Sequence, residues 1–357
     1  MVGHGGDVYA AARELEMPAE SIIDFSASIN PLGTPASVMS ELRRHLKGLR
    51  HYPDPSAAGL VEELAKSTGL DQRMILCGNG STELIYLVAR ALRPERVLIP
   101  APAFAEYERA CITASHLGGT RSRTAGIKYF HIEAKNKFRL DADAFIADMN
   151  GRDMAFICNP NNPTGRLIRK SDMVRIADAA GKSGCCLVVD EAFIDFVPGE
   201  SIIKKVAENP SLIVIRSLTK FFALSGLRIG YAVINPELSG AISRHKEPWT
   251  VNSLAQVAGM AALKDTVYQS RTFNVLKREK DYLERGFKRL GLDYYPSRVN
   301  FYLIRHDNAY TIVLRLREQG ILVRDCSNFN GLDRSYIRIA VRTRRENMRL
   351  LAELAKL

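Results

Sequence analysis

The sequence predicts an α/β protein in which a mostly parallel central sheet is flanked by helices and followed by a smaller α+β domain. Over residues 74–234, short apolar runs alternate with helical patterns, as expected for parallel strands joined by crossover helices. After Pro236 the pattern changes to long helical segments, then strands and helices in mixed order. We therefore predict a large domain over residues 46–240. The small domain would combine the N-terminal arm, 1–45, with residues 241–357.

The composition is that of a globular enzyme. The chain has 357 residues, of which 46% are hydrophobic and 25% charged, which suits about two domains with sizeable cores. Lysine and arginine total 50 against 39 acidic residues, so the net charge is +11. The positive charges are dispersed, except for Arg342, Arg344 and Arg345, and lack the patches or zinc-finger spacing of many nucleic-acid-binding proteins. We expect this charge to attract a small anionic substrate rather than nucleic acid.

Cysteine usage and hydropathy indicate the compartment. The six cysteines lack metal-ligand spacing, and four of them lie in or beside apolar runs. No apolar run is long enough to span a bilayer, and no segment resembles a signal peptide. The sequence therefore predicts a cytoplasmic protein without disulfides, metal sites or membrane segments.

The N-terminal arm combines a polar opening with an extended segment. His4 begins a His-Gly-Gly-Asp sequence, which by itself is typical of a frayed terminus. Residues 24–33 are extended and then turn at an Asn-Pro pair that begins with Asn30. After an amphipathic helix over 38–49, two prolines predict a rigid loop around Tyr52.

A glycine-rich turn joins the first strand of the predicted sheet to a helix. Residues 74–77 form the strand, and residues 78–83 lead through Gly80 into the helix. Free N–H groups and the helix dipole make such a turn a binding site for anions. Ordinary capping of the helix by Ser81 or Thr82 is the alternative.

Two polar side chains follow later strands of the sheet, beyond a stretch, 119–140, that we predict as short strands and turns. Asn162 lies in a proline-rich loop after the strand 154–158, and the prolines leave its backbone little freedom. Asp190 ends the apolar strand 185–189, at the edge where α/β sheets bind ligands. The alternative for Asp190 is a helix or turn cap.

The next strand, 212–215, leads to the loop that carries Lys220. A lysine beside a buried strand is costly to bury unless it has a partner or is covalently engaged. A solvated lysine is the alternative. The same loop carries Ser217 and Arg228. This set suits a phosphorylated aldehyde, because the amine can form an imine while the hydroxyl and guanidinium hold the phosphate.

Taken together, these motifs resemble those of the class I/II aminotransferase superfamily, whose members are fold-type I pyridoxal-phosphate enzymes. The motifs are Asn-Asn-Pro-Thr-Gly at 161–165, Asp-Glu-Ala-Phe at 190–193, Ser-Leu-Thr-Lys at 217–220 and Gly-Leu-Arg-Ile-Gly at 226–230. The resemblance covers essentially the whole chain. It implies pyridoxal 5′-phosphate as the cofactor and a homodimer with sites at the interface.

The resemblance implies a role for each matching residue. Lys220 binds the cofactor aldehyde covalently, and Asp190 pairs with the pyridinium nitrogen. Asn162 donates to the 3′ oxygen of the ring, and Tyr107 stacks on the ring face. The residues expected to hold the cofactor phosphate are Gly80, Ser81, Ser217, Arg228 and, from the other subunit, Tyr52.

The same resemblance indicates where the substrate binds. Arg338 matches the superfamily's arginine for a substrate anion, and His4, Asn30 and Arg342 are further expected substrate contacts. Phe193 stands where many members have a tyrosine that also bonds the 3′ oxygen. We interpret this departure as an argument against ordinary transamination.

Within the superfamily, the chain most resembles enzymes that decarboxylate threonine phosphate in cobalamin biosynthesis. The resemblance lies in the opening His-Gly-Gly and in residues 24–33, 104–107, 190–196 and 248–252. It implies conversion of L-threonine O-3-phosphate, a small phosphorylated amino acid, to (R)-1-aminopropan-2-yl phosphate and CO2. Histidinol-phosphate aminotransferases are the alternative, because the ring-binding motifs are common to both. A transcription regulator with this domain would need an added DNA-binding domain, for which we expect no room.

Overall fold

The computed structural model describes residues 4–115 and 126–357. The part of the predicted stretch 119–140 that precedes residue 126 lies outside the described residues. Within the described ranges, the α-helices are α1 (Val8–Glu14), α2 (Ala36–His45), α3 (Ala58–Thr68), α4 (Gly80–Leu92), α5 (Glu106–Ser115), α6 (Ala142–Met149), α7 (Lys170–Ser183), α8 (Pro236–Ser243), α9 (Ser253–Lys264), α10 (Thr266–Arg289), α11 (Ala309–Glu318) and α12 (Arg344–Leu354).

The β-strands fall into three sheets. Over the same described ranges they are β1 (Ile23–Asp24), β2 (Ile75–Gly78), β3 (Arg96–Ala101), β4 (Gly126–His131), β5 (Met154–Cys158), β6 (Cys186–Asp190), β7 (Leu212–Ser217), β8 (Gly230–Ile234), β9 (Asp293–Tyr294), β10 (Phe301–Arg305), β11 (Ile321–Leu322), β12 (Arg324–Asp325) and β13 (Tyr336–Ala340).

The central sheet has seven strands in the order β2-β8-β7-β6-β5-β3-β4. The strands from β7 to β4 run parallel, which confirms the prediction of a mostly parallel sheet. β8 is antiparallel to both of its neighbours, β7 and β2. Only residues 218–229 connect β7 with β8, and they contain no crossover helix that could return the chain to a parallel start.

Helices cover both faces of this sheet, so its inner strands are buried throughout. Every residue of β5 and β8 is buried, as is typical of strands with two covered faces. Leu84 on α4 and Ala110 on α5 pack on one face. Met173 and Ile176 on α7 belong to the core on the other face. Full burial of one large aliphatic side chain contributes roughly 1.5–3 kcal/mol, so the two cores hold the strand ends firmly in place.

The two ends of the chain meet in the second part of the fold. β12, β13, β10 and β9 form an antiparallel four-stranded sheet. β1 from the N-terminal arm pairs in parallel with β11, with Ile23 opposite Ile321. The arm therefore joins the C-terminal part, although α2 and α3 both pack against α9. The boundaries 46–240 and 241–357 stay predictions.

Among the described residues, none of the helices combines the length and the apolar character that crossing a membrane requires.

Candidate active site

A cavity of about 500 Å³ opens at the carboxyl ends of β5, β6 and β7. Asn162, Asp190 and Ser217 follow or end these three strands, and parallel strands bring such positions to one edge of the sheet. Other predicted site residues complete the lining, namely His4, Ser81, Tyr107, Lys220, Arg228 and Arg338.

Lys220 lies on the wall of this cavity. Burial lowers the pKa of its ammonium group to about 8, and the positive charges of Arg338 and Arg228 add to the shift. A lysine with this pKa is partly neutral near physiological pH, and a neutral amine is a nucleophile. The backbone carbonyl of Lys220 accepts a hydrogen bond from the N–H of Asn30 at 3.0 Å, which ties the loop to the N-terminal arm.

Asp190 is a buried carboxylate at the end of β6. The Tyr107 hydroxyl donates to its Oδ2 at 2.7 Å, and the N–H of Ala192 donates to its Oδ1 at 2.9 Å. Burial raises the pKa of Asp190 above its ordinary value, while these two bonds oppose the shift by stabilising the charged form. The site therefore offers a desolvated carboxylate that a cationic ring nitrogen would pair with.

Tyr107 has a role that the sequence does not reveal. Its ring is fully buried and stacks on Phe156 with centroids 5.0 Å apart. Because its hydroxyl donates a hydrogen bond to Asp190, Tyr107 orients that carboxylate. Phe104 also lines the cavity and packs edge-on against Tyr107. Stacking of Tyr107 on a cofactor ring stays a prediction.

A buried ion pair fixes the strand ends next to Asp190. Arg216 donates through Nε to Glu191 at 3.0 Å. The same carboxylate accepts hydrogen bonds from the Ser201 hydroxyl at 2.7 Å and the Ile202 N–H at 2.9 Å. A buried pair whose carboxylate accepts three hydrogen bonds in this way holds its geometry well. It thereby sets the spacing of β6 and β7 at the edge of the site.

The start of α4 and the loop before β8 form a cradle that suits an anion. Gly80 begins α4 with φ of +76°, and a Cβ added there would lie 2.3 Å from the guanidinium of Arg228. A Cβ on Gly230 would lie 2.6 Å from the N–H nitrogen of Ser81. Both positions require glycine because the helix start and the Arg228 loop approach so closely. The first-turn N–H groups of α4 have no intrahelical partner and carry the positive end of the dipole.

Ser81 and Thr82 do not cap the helix, which was the alternative interpretation of the glycine-rich turn. Asn79 occupies the N-cap position without a side-chain cap bond, so Ser81 and Thr82 lie inside the helix. Both also line the cavity. The Ser217 hydroxyl lies 2.7 Å from that of Thr219, and both residues are buried. Thr219 and Thr82 are thus polar groups of the site that we did not single out from the sequence.

Arg338 projects from the middle of β13 into the cavity and contacts Asn162 there. One guanidinium nitrogen donates to the side-chain oxygen of Asn162, and the other donates to the carbonyl of Ser26 at 2.7 Å. Burial lowers the pKa of Arg338 to about 10. Because the oxygen of the Asn162 amide is engaged by Arg338, its NH2 group is the part left to donate to a ligand.

Two charged residues of the cavity escape prediction from the sequence. Arg324, at the start of β12, lines the cavity with its guanidinium 5.2 Å from the centre of the Phe329 ring. Glu106, at the start of α5, is buried and lies 2.9 Å from the imidazole of His4. Arg324 does not follow a strand of the central sheet, and Glu106 comes after β3 as the first residue of a helix, where a glutamate is ordinary. The Phe-Ala-Glu-Tyr segment at 104–107 is the only sequence signal for Glu106.

Two predicted substrate contacts are not supported. The amide of Asn30 is buried and donates to the Phe221 carbonyl at 2.7 Å and the Thr272 hydroxyl at 2.8 Å, so it fixes the Lys220 loop instead. Arg342 donates to Glu346 at 2.9 Å near the start of α12. Neither side chain lines the cavity. Their contact with the substrate stays a prediction, and in this structure both side chains are engaged by other residues of the chain.

Tyr52 and Phe193 occupy contrasting positions. Tyr52 is 82% exposed, with its ring 5.0 Å from that of Trp249, and it does not line the cavity of its own chain. Phe193 lines the cavity and packs edge-on against Phe301. A phenyl ring therefore stands at that wall without a hydroxyl to donate.

These features fit pyridoxal phosphate. The cavity provides an amine of lowered pKa, a buried carboxylate with its own donors, and a glycine-shaped cradle at a helix start. In the described ranges, no cluster of three or more His, Cys, Asp or Glu side chains is arranged to bind a metal.

Comparison with known proteins agrees with this geometry. Residues 20–354 match the family of class I and II aminotransferases. The chain is 40% identical to the threonine-phosphate decarboxylase of Salmonella typhimurium, over 98% of this chain and 95% of that protein. The solved threonine-O-3-phosphate decarboxylase of Porphyromonas gingivalis superposes with a TM-score of 0.82 at 29% identity, covering 94% of this chain and 99% of that one.

A histidinol-phosphate aminotransferase is similar to the same degree. The structure from Clostridium acetobutylicum gives a TM-score of 0.86 at 30% identity, covering 94% of this chain and 98% of that one. The shape of the backbone therefore does not distinguish the two activities. The match over residues 20–354 does establish the wider group. The chain belongs to the class I and II aminotransferase family.

Proposed function

We propose that the protein is a pyridoxal-phosphate-dependent decarboxylase that converts L-threonine O-3-phosphate to (R)-1-aminopropan-2-yl phosphate and CO2. Its place would be the cytoplasm, in cobalamin biosynthesis. The identity of 40% with a threonine-phosphate decarboxylase supports this choice, because it extends over 98% of the chain.

One observation about the cavity carries the proposal. Arg324 and Arg338 both line it together with Lys220, and among the described residues no carboxylate forms an ion pair with either arginine. The proposed substrate has two anionic groups, a carboxylate and a phosphate. Two separate guanidinium groups match that pair, since each can bind one anion through parallel N–H bonds.

Lys220 and Asp190 would perform the central chemistry. Bound pyridoxal phosphate supplies an electron sink for the bond that breaks at the substrate Cα. Lys220 Nζ, with its pKa of about 8, would give up its place on the cofactor to the substrate amine. It would later deliver a proton to Cα. Asp190 would hold a proton on the ring nitrogen, and Tyr107 and the Ala192 N–H keep that carboxylate in place. Ser217, Arg228 and the start of α4 would hold the cofactor phosphate.

The two arginines of the catalytic cavity, Arg324 and Arg338, would determine which bond at the substrate Cα breaks. A decarboxylase must turn the carboxylate, rather than the Cα hydrogen, out of the ring plane. Contacts to the distant substrate phosphate can fix that orientation, because binding energy far from the reacting atoms restricts the reacting groups. Arg324 and His4 lie in the cavity as candidates for the phosphate, and Arg338 for the carboxylate.

We further propose that the protein works as a homodimer in which Tyr52 reaches the partner's cofactor phosphate. Tyr52 is 82% exposed beside Trp249, which is 48% exposed, and Leu46 and Leu49 are also exposed. Such an apolar and aromatic surface is typical of an interface.

The test is to incubate the holoenzyme with L-threonine O-3-phosphate without any 2-oxo acid, and to measure CO2 and the amine product. Release of both supports the proposal. Activity only with histidinol phosphate plus 2-oxoglutarate, with threonine phosphate left intact, would make the protein an aminotransferase. The roles of Lys220, Asp190 and the phosphate cradle would stand in either case.

A further inference from the structure

A second cavity, of about 430 Å³, lies beside the catalytic one at the ends of β3 and β5. It is nearly as large as the catalytic cavity of about 500 Å³. Among the residues that the structure describes, Cys158, the last residue of β5, is the only one that lines both cavities. The second cavity is therefore a separate space behind the loop that carries Asn162.

Three arginines line this second cavity, and their charges are poorly neutralised. Of the described residues, Asp172 is the one carboxylate in the lining, beside Arg139, Arg166 and Arg169. Asp172 lies 3.7 Å from Arg169 and is shared with Arg175 at 3.5 Å. Within residues 4–115 and 126–357, no carboxylate forms an ion pair with Arg139 or Arg166.

Arg166 is half-buried, whereas Arg139 and Arg169 are exposed. Its Nη1 donates to the carbonyl of Pro296 at 3.1 Å, while its Nε is buried and has no hydrogen-bond partner among the described residues. Burial lowers the pKa of Arg166, and the charge of Arg139 lowers it further. A buried donor left unpaired costs about 1–3 kcal/mol, and more when it is charged. An anion placed between Arg139 and Arg166 would offset the repulsion between their two charges.

The rest of the wall combines apolar side chains with the polar side chain of Asn161. Leu140, Ile157 and Ile168 line it, together with Ile132 and the Phe138 ring. A cavity that combines apolar side chains with a few convergent polar groups is the usual form of a small-molecule site. The cationic end and the apolar wall together define what would fit.

We propose that this cavity binds a small organic anion that has one phosphate, sulfonate or carboxylate head and an apolar body. The head lies between Arg139 and Arg166, and the body packs against Phe138, Leu140 and Ile168. The site is independent of the proposed reaction, because neither arginine lines the catalytic cavity.

Anilinonaphthalene sulfonate is a suitable probe, because it is an amphipathic anion whose fluorescence rises on transfer to an apolar site. The holoenzyme is titrated with the probe, in wild-type form and as Arg139→Gln and Arg166→Gln. Each variant should raise the Kd about 10-fold, as expected for one lost charge-assisted contact. The matched control is Arg349→Gln, which removes an exposed arginine on α12 and should leave the Kd unchanged.

Two further variants locate the probe. Ile168→Trp fills the cavity without changing its charge and should abolish binding, with thermal unfolding used to confirm that the variant is folded. Arg324→Gln changes only the catalytic cavity and should have no effect on the Kd. Loss of binding in Arg324→Gln, or equal Kd values for wild type, Arg139→Gln and Arg166→Gln, would overturn the proposal.

Competition separates the head from the body. Phenyl phosphate should displace the probe at a lower concentration than either inorganic phosphate or phenol. If inorganic phosphate competes as well as phenyl phosphate, the cavity is a plain anion site. If phenol competes as well as phenyl phosphate, it is an apolar pocket. Either result contradicts the amphipathic ligand.

Discussion

The imidazole Nε2 of His4 lies 2.9 Å from Oε1 of the buried carboxylate of Glu106. The other oxygen of Glu106 accepts a hydrogen bond from the Tyr86 hydroxyl at 2.5 Å. His4 also packs against the Phe104 ring, with centroids 5.7 Å apart. The Glu106 carboxylate, at the start of α5, thereby holds His4 at the wall of the catalytic cavity.

Glu106→Gln should therefore weaken substrate capture. A neutral amide holds His4 less firmly than the carboxylate does, so the KM for threonine phosphate should rise about 10-fold, or about 1.4 kcal/mol. The kcat should change little, because Glu106 contacts neither Lys220 nor Asp190. Steady-state kinetics on the purified variant give both values.

Glu62→Gln is the matched control, because it removes an exposed carboxylate paired only with Lys66 on α3. Tyr86→Phe, which leaves the Glu106 charge in place, should have a smaller effect than Glu106→Gln. An unchanged KM in Glu106→Gln would show that the contact with His4 has no part in substrate binding.

The pKa of Lys220 predicts a pH dependence for cofactor attachment. A pKa lowered to about 8 means that the neutral amine becomes the major form as the pH rises through that value. The rate at which the apoprotein attaches pyridoxal phosphate covalently should rise with a midpoint near pH 8. Absorbance measures this rate, and N-acetyl-lysine under the same conditions corrects for ionisation of the cofactor itself.

Arg338→Gln tests the cause of that shift. The positive charge of Arg338 helps to lower the pKa of Lys220. Its removal should therefore move the midpoint of cofactor attachment to higher pH. Attachment at pH 8 should become slower than in the wild type. A midpoint that stays in place or moves to lower pH would contradict this electrostatic account.

Gly80→Ala should weaken cofactor retention. Its Cβ would lie 2.3 Å from the Arg228 guanidinium, and φ of +76° is strained for alanine by roughly 1–2 kcal/mol. Displacing Arg228 from the cradle adds to that cost, so the Kd for pyridoxal phosphate should rise about 10-fold or more. Equilibrium dialysis measures it. Gly226→Ala is the control in the Arg228 loop, because a Cβ there meets nothing within 4 Å.

Tyr52 can be tested by subunit complementation. Tyr52→Phe should raise the Kd for the cofactor about 10-fold through loss of one hydrogen bond to a charged group. Lys220→Ala should abolish both turnover and covalent attachment, which mass spectrometry after borohydride reduction would detect. A mixed dimer of the two variants contains one site with an intact Lys220 and the partner's intact Tyr52.

At limiting cofactor, the mixture should therefore be more active than the sum of the separate variants. No gain on mixing would mean that Tyr52 does not act across the interface. Retained multiple turnover in Lys220→Ala alone would refute its role as the attachment point.

The sequence predicts best what regular structure determines. Asp190, Asn162 and Ser217 follow apolar runs of strand length, and the parallel register then brings them to one edge. The antiparallel β8 is missed, because an apolar run does not reveal its direction. Predicted strands match to within a residue or two, as for 74–77 against β2 at Ile75–Gly78.

Side chains outside that pattern are harder to place. Glu106 and Arg324 look like ordinary surface residues, since their burial depends on the arm and the small sheet packing over them. Asn30 looks like a ligand contact, yet the chain around Lys220 already uses its whole amide. Whether a polar group faces a backbone carbonyl or a cavity is decided by tertiary contacts, which local sequence does not contain.

The pairing of Ile23 with Ile321 has a consequence for the order in which the molecule can assemble. Nearly the whole chain must be synthesised before the arm finds its partner strand, and closing so long a loop is entropically costly. The last strand of the seven-stranded sheet ends at Ile234, so this sheet can form before the C-terminal third of the chain has been synthesised. The catalytic cavity is then completed last, because β11, Arg324 and Arg338 all come from the end of the chain.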